Sequence, residues 1–180
     1  MNRPLWINAL VFSGLVALGA GSRLVGAEPN FAAVAAVALF AGFFFSGRLV
    51  AAAVPLCAML FSDALIGWHE PRVMAVVYAS LLIPVLFRSH IASAGRPVLW
   101  RSLGAAAICS LAFFLLTNFA VWAFGPLYTS DASGLARCFA AAVPFLRGTL
   151  ASDLVFSALL FGGYLLLTRP AARPAVVAIA

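Results

Sequence analysis

Residues 99–124 read LWRSLGAAAICSLAFFLLTNFAVWAF, with Arg101 the only charged residue among them. A helix crosses a bilayer with about 20 consecutive apolar residues. This run is long enough, and its apolar residues are continuous rather than alternating, which disfavours a membrane barrel strand. We read it as a transmembrane helix, and its neighbours follow the same pattern.

Working outward, five more apolar segments are expected to span at about residues 5–25, 30–45, 49–67, 73–87 and 148–167. Pro29-Asn30 signals a helix start and Ser46-Gly47-Arg48 a turn. Pro84 is expected to bend the fourth span. The second and fourth spans are short for a roughly 30 Å core, so they are expected to sit inside the bundle or extend into their flanking turns. Residues 134–145 are apolar but too short to span. With Pro144 ending them, they read as a short interfacial helix between the fifth and sixth spans. The apolar stretch 5–21 is long for a signal core, so the first segment is read as a retained span. The expectation is an all-α integral membrane protein, a single transmembrane domain over residues 1–180 with about six helices.

Composition agrees. Of 180 residues, 65% are hydrophobic and 9% are charged, against roughly 25% charged in a soluble domain. A surface this apolar suits lipid, where the backbone must satisfy its own hydrogen bonds. The net charge of +6 is therefore read as a topology signal and not as a nucleic-acid footprint. With the N-terminus inside, Arg3, Arg48, Arg88, Arg96, Arg101, Arg169 and Arg173 fall on the cytoplasmic face, and Arg23, Arg72, Arg137 and Arg147 outside. That excess supports an N-in, C-in chain in the inner (plasma) membrane. Glu28, Asp63, Glu70, Asp131 and Asp153 all fall towards the outside.

Asp63 and Asp153 lie within helices, where a carboxylate is costly and usually faces a partner in the protein interior. Arg23 and Arg147 are the candidate partners at that level. Asn118 and Trp122, four apart, share a helix face, as do Thr149, Asp153 and Ser157. Asn30, Trp68, His69 and Tyr128 lie in the adjoining loops. The candidate ligand-binding set is Arg23, Asn30, Asp63, His69, Asn118, Trp122, Arg147, Thr149 and Asp153, converging on an outward pocket. The plainer roles are helix caps at Asn30 and Thr149, interface anchoring by Trp and Tyr, and static ion pairs at the two aspartates. Ala9, Ser13, Ala17 and Gly21 recur every four residues, a spacing that lets another helix approach closely. They are read as a docking stripe for a membrane partner or as packing inside the bundle.

No zinc-protease, nucleophile-elbow or P-loop motif occurs. Cys57, Cys109 and Cys138 lack metal-ligand spacing, and His69 and His90 fall on opposite sides of the membrane. No metal site, cofactor or catalytic set is specified, so the chain does not read as an enzyme.

Several stretches carry a resemblance: Arg23-Leu24; Asn30-Phe31 leading into AVALFAG; Pro55 through Ser62-Asp63 to Gly67; TNFAVW at 117–122; and Pro144-Phe145 through Thr149 to Asp153-Leu154. Together they resemble uncharacterised small bacterial membrane proteins related to the substrate-binding (S) components of energy-coupling-factor transporters. The resemblance implies six helices, capture of a small molecule at the outer face, and docking through small residues onto a transmembrane coupling protein. The alternative is an accessory or structural subunit of a larger membrane complex, such as an energy-converting assembly.

Overall fold

The computed structural model describes residues 4–26, 30–68, 70–92 and 97–168. They form α1 (Leu5–Val25), α2 (Val34–Phe44), α3 (Arg48–Ile66), α4 (Pro71–Ser80), a 3-10 segment (Ile83–Phe87), α5 (Arg88–Ala92), α6 (Val98–Phe124) and α7 (Ala132–Leu167). No strand occurs among the described residues. Five helical stretches there are long and apolar enough to cross a membrane: Leu5–Val25, Arg48–Ile66, Pro71–Ala92, Val98–Phe124 and Ala132–Leu167. They point to a multi-pass membrane protein.

The second expected span behaves differently. α2 is only 11 residues long, about 16 Å at 1.5 Å per residue. Val34, Ala36 to Gly42 and Phe44 are all buried, so this helix is the axis around which α1, α3, α6 and α7 pack. Between helices in lipid there is little hydrophobic drive, and close van der Waals contact does the work. The sequence supplies small residues for it. A Cβ on Gly42 would stand 2.7 Å from the Val85 carbonyl oxygen, and one on Gly19 would stand 2.9 Å from the Ala58 Cβ. Below this level an aromatic cluster closes the bundle, with Phe40 against Phe161 at 5.2 Å and Phe43 against Tyr164 at 5.4 Å between centroids.

Two prolines act differently from expectation. Pro84 does more than bend a span. It lacks the N–H that would bond the carbonyl four residues back, at Ser80, and α4 ends at Ser80. Leu82 and Val85 donate instead to Ala79 and Leu82, three residues back. Pro144 does less than expected. The helix runs through it, so residues 134–145 are helical and continuous with the last span. The 36 residues of α7 measure about 54 Å if straight, well beyond a roughly 30 Å hydrocarbon core.

The polarity of the bundle follows from its helix ends. The C-terminal end of α6 meets the start of α4, with Arg72 lying 5.8 Å over the Phe124 ring. At the opposite end, Arg88 donates to the Phe45 and Ser46 carbonyls at 2.8 and 3.0 Å. Glu70 caps α4 by accepting from the Val73 N–H at 2.8 Å. Asp131 caps α7 by accepting from the Gly134 N–H at 2.7 Å.

Candidate functional site

A cavity of about 400 Å³ opens at the first of these ends, within the range of roughly 300–1,000 Å³ typical of small-molecule sites. α1 contributes Arg23, α2 contributes Ala35, α3 contributes Asp63, α4 contributes Val77, α6 contributes Asn118, and α7 contributes Thr149 and Asp153, each with apolar neighbours. Most of the wall is apolar, and three charged side chains line it among the described residues: Arg23, Asp63 and Asp153.

The first two are paired. Arg23 Nη2 lies 2.6 Å from Asp63 Oδ1, the only ion pair among the described residues. Arg23 Nη1 donates to Ser62 Oγ, and the Tyr78 hydroxyl donates to Asp63 Oδ2 at 2.7 Å. The Asp63 side chain is 2% exposed, so both of its oxygens are matched, as burial of a carboxylate demands. Sequence register makes this possible. Arg23 falls in the last turn of α1 and Asp63 in the last turn of α3, and the close approach at Gly19 and Ala58 holds these helices together.

Asp153 is different. It is 1% exposed and accepts one hydrogen bond, from Ser110 Oγ to Oδ2 at 2.6 Å. Oδ1 accepts none from the described residues, and no described cation pairs with it. α7 begins at Ala132, so Asp153 stands well inside the helix, and Ser110 is near the middle of α6. Around it, Thr149 Oγ1 donates to the Phe145 carbonyl at 3.1 Å. Asn118 Nδ2 donates to the Phe114 carbonyl at 2.7 Å, which leaves the Asn118 side-chain oxygen without a donor among the described residues. Thr149 is therefore mid-helix and not a cap.

Of the nine residues proposed from sequence, Arg23, Asn30, Asp63, Asn118, Thr149 and Asp153 line this one cavity. Asn30 is not a helix cap either. It occupies a left-handed turn at φ 59°, which asparagine tolerates better than most residues, and the cap position of α2 belongs to Ala33. Trp122 and Arg147 lie outside the cavity wall. The Trp122 indole N–H donates to the Thr129 carbonyl at 3.0 Å and fastens the α6–α7 turn. Arg147 is exposed and does not pair with Asp153. Six residues separate them, about 600° of helix rotation, which puts them on different faces. His69 lies outside the described residues, as do Glu28, Arg3, Arg96, Arg169 and Arg173.

The small-residue stripe also changes meaning. Ala9, Ser13 and Ala17 are exposed and Gly21 is half-buried, while Leu15, Gly19 and Ala20 face the bundle. The bundle is packed through Gly19, and the stripe is left outward. Among the described residues no group of three or more His, Cys, Asp or Glu could hold a metal ion. Outside the helices, the Gly134 N–H, with the Ser133 and Thr129 hydroxyls, holds the Asp131 carboxyl below the ordinary aspartate range.

A family model describing a family of unknown function, DUF6580, matches residues 4–176. The chain belongs to DUF6580. The match embraces every helix that lines the cavity. No curated protein and no solved structure matches the chain.

Proposed function

We propose that this protein is the membrane-embedded, substrate-capture subunit of a small-molecule importer, with the cavity facing outward. The observation that carries the reading is a cavity of about 400 Å³ whose mostly apolar wall gathers Arg23, Asp63 and Asp153. Charged groups at membrane depth are expensive and usually mark a functional site. The resemblance to S components adds the wider setting: six spans with both ends in the cytoplasm, in the bacterial inner membrane, and a transmembrane coupling protein as partner. In that setting α2 counts as a sixth, buried helix, and the first turns of α7 lie at the outer interface. The outward stripe Ala9, Ser13 and Ala17 is where a partner helix would dock. The role is one of binding, with no catalytic step assigned to any residue.

A second reading, an accessory subunit of a larger membrane assembly, is favoured by the same exposed stripe. Mass spectrometry of gently purified protein separates the two. Capture predicts a small molecule at about one per chain, lost in the cavity-filling variant Ala35→Phe. Wild type as empty as Ala35→Phe overturns it. A stoichiometric partner without ATPase subunits, released by Ala17→Leu, favours the accessory role.

A further inference from the structure

Resting on the capture role proposed above, we infer that the cavity selects a monocationic primary amine carried on an apolar or aromatic body, with the ammonium at Asp153 Oδ1. The charge of the wall decides the sign. Among the described lining residues, one cation against two carboxylates leaves one formal negative charge, and the pairing says where it resides. Both terminal nitrogens of Arg23 are engaged, by Asp63 and by Ser62, and both oxygens of Asp63 are matched. Asp153 keeps Oδ1 without a donor although the residue is 1% exposed and lines the cavity. Burying an ionised carboxylate without a cation is costly, and a ligand cation arriving there relieves that cost.

An R–NH₃⁺ group has three N–H donors and no acceptor. Asp153 Oδ1 has no donor among the described residues. One turn earlier on α7, Thr149 Oγ1 spends its proton on the Phe145 carbonyl and so presents lone pairs. Both residues line the cavity. Met59, Val77, Leu81, Phe113 and Phe145 line the rest of it, a surface for an apolar body. A divalent cation is a poor fit, since it seeks about six or more oxygen ligands. An anion finds no unengaged guanidinium on the described wall.

Three probes with one body and different heads test the inference: 2-phenylethylamine, 2-phenylethanol and 3-phenylpropionate. Each is radiolabelled and equilibrated with the protein in nanodiscs, with empty nanodiscs subtracted to remove lipid partitioning. The expected result is saturable binding of the amine at least about tenfold tighter than the alcohol, with no binding of the acid. Asp153→Asn, nearly isosteric, weakens the amine about 30-fold or more, as loss of one member of a buried charge pair does, and leaves the alcohol unchanged. Thr149→Val weakens the amine by a smaller factor, and keeps the test open if Asp153→Asn misfolds. Equal binding of amine by wild type and Asp153→Asn overturns the inference. So does alcohol or acid binding at or above the amine; if that binding is lost in the cavity-filling variant Ala35→Phe, the capture role stands while the charge selection falls. No saturable binding of any probe, together with purified protein that carries no small molecule, overturns both.

Discussion

Removing either member of the Arg23–Asp63 pair should destabilise the bundle, and by unequal amounts. Arg23→Ala leaves a carboxylate 2% exposed with the Tyr78 hydroxyl as its remaining donor. Breaking a buried pair from one side costs about 3–5 kcal/mol, and this variant belongs near the top of that range. Asp63→Ala leaves the guanidinium, whose side chain is 21% exposed and which retains Ser62. It can turn into the cavity and be hydrated, so its cost should lie near about 3 kcal/mol. The double variant removes the orphaned charge altogether. It should be less destabilised than the sum of the singles by about 1–3 kcal/mol, the coupling expected of groups in direct contact. Equilibrium unfolding in mixed micelles, with the four proteins compared as a double-mutant cycle, gives these differences. Additive singles, or two singles each within about 0.5 kcal/mol of wild type as at an inert surface position, would refute the claim that this pair is buried and mutually satisfied.

Three other outcomes follow from the packing and the caps. Gly42→Ala places a methyl against the Val85 backbone, and Gly19→Val wedges α1 from α3; each should cost about 1–3 kcal/mol as overpacking, read by the same unfolding assay. Ala9→Leu and Ala17→Leu, on the exposed stripe, should change the isolated protein by less than about 0.5 kcal/mol while disrupting any copurifying membrane partner. Asp131 has a depressed value in the folded chain, so its stabilising effect is present above the ordinary aspartate range and lost as pH falls through the lowered one. Unfolding midpoints of wild type and Asp131→Ala should differ at neutral pH and converge in strong acid.

How far the sequence carried these conclusions depended on what kind of information each needed. Residues 5–25 and 99–124 are single uninterrupted apolar runs, and their helices form almost where expected. The shortness of the second span leaves two outcomes, burial inside the bundle or extension into its turns, and α2 takes the first. Arg23 was recognisable as one of two candidate partners for the helix aspartates, because a charge in an apolar run needs a partner, and the structure pairs it with Asp63. Ser62 and Ser110, which take part in the polar contacts, were not singled out, because a lone serine hydroxyl in an apolar helix commonly bonds its own backbone. Only the tertiary arrangement shows that Ser62 meets Arg23 and that Ser110 and Tyr78 each meet a carboxylate. Pro84 and Pro144 are alike in sequence, yet one ends a helix and the other is carried inside one, since packing decides whether a lost backbone bond is tolerated. The four-residue stripe from Ala9 was visible, but periodicity alone does not say which face the bundle takes, and the bundle took Gly19.

The central claim is that a cavity at the arginine–aspartate end of the bundle is reached from outside the cell. Thr117 lines it and is half-buried. The most direct measurement is the reaction of Thr117→Cys with a membrane-impermeant maleimide on intact cells, with Cys57, Cys109 and Cys138 replaced by Ala. Prompt modification from the outside, blocked in Ala35→Phe, is the result predicted. Modification only after the cytoplasmic side is opened would contradict it.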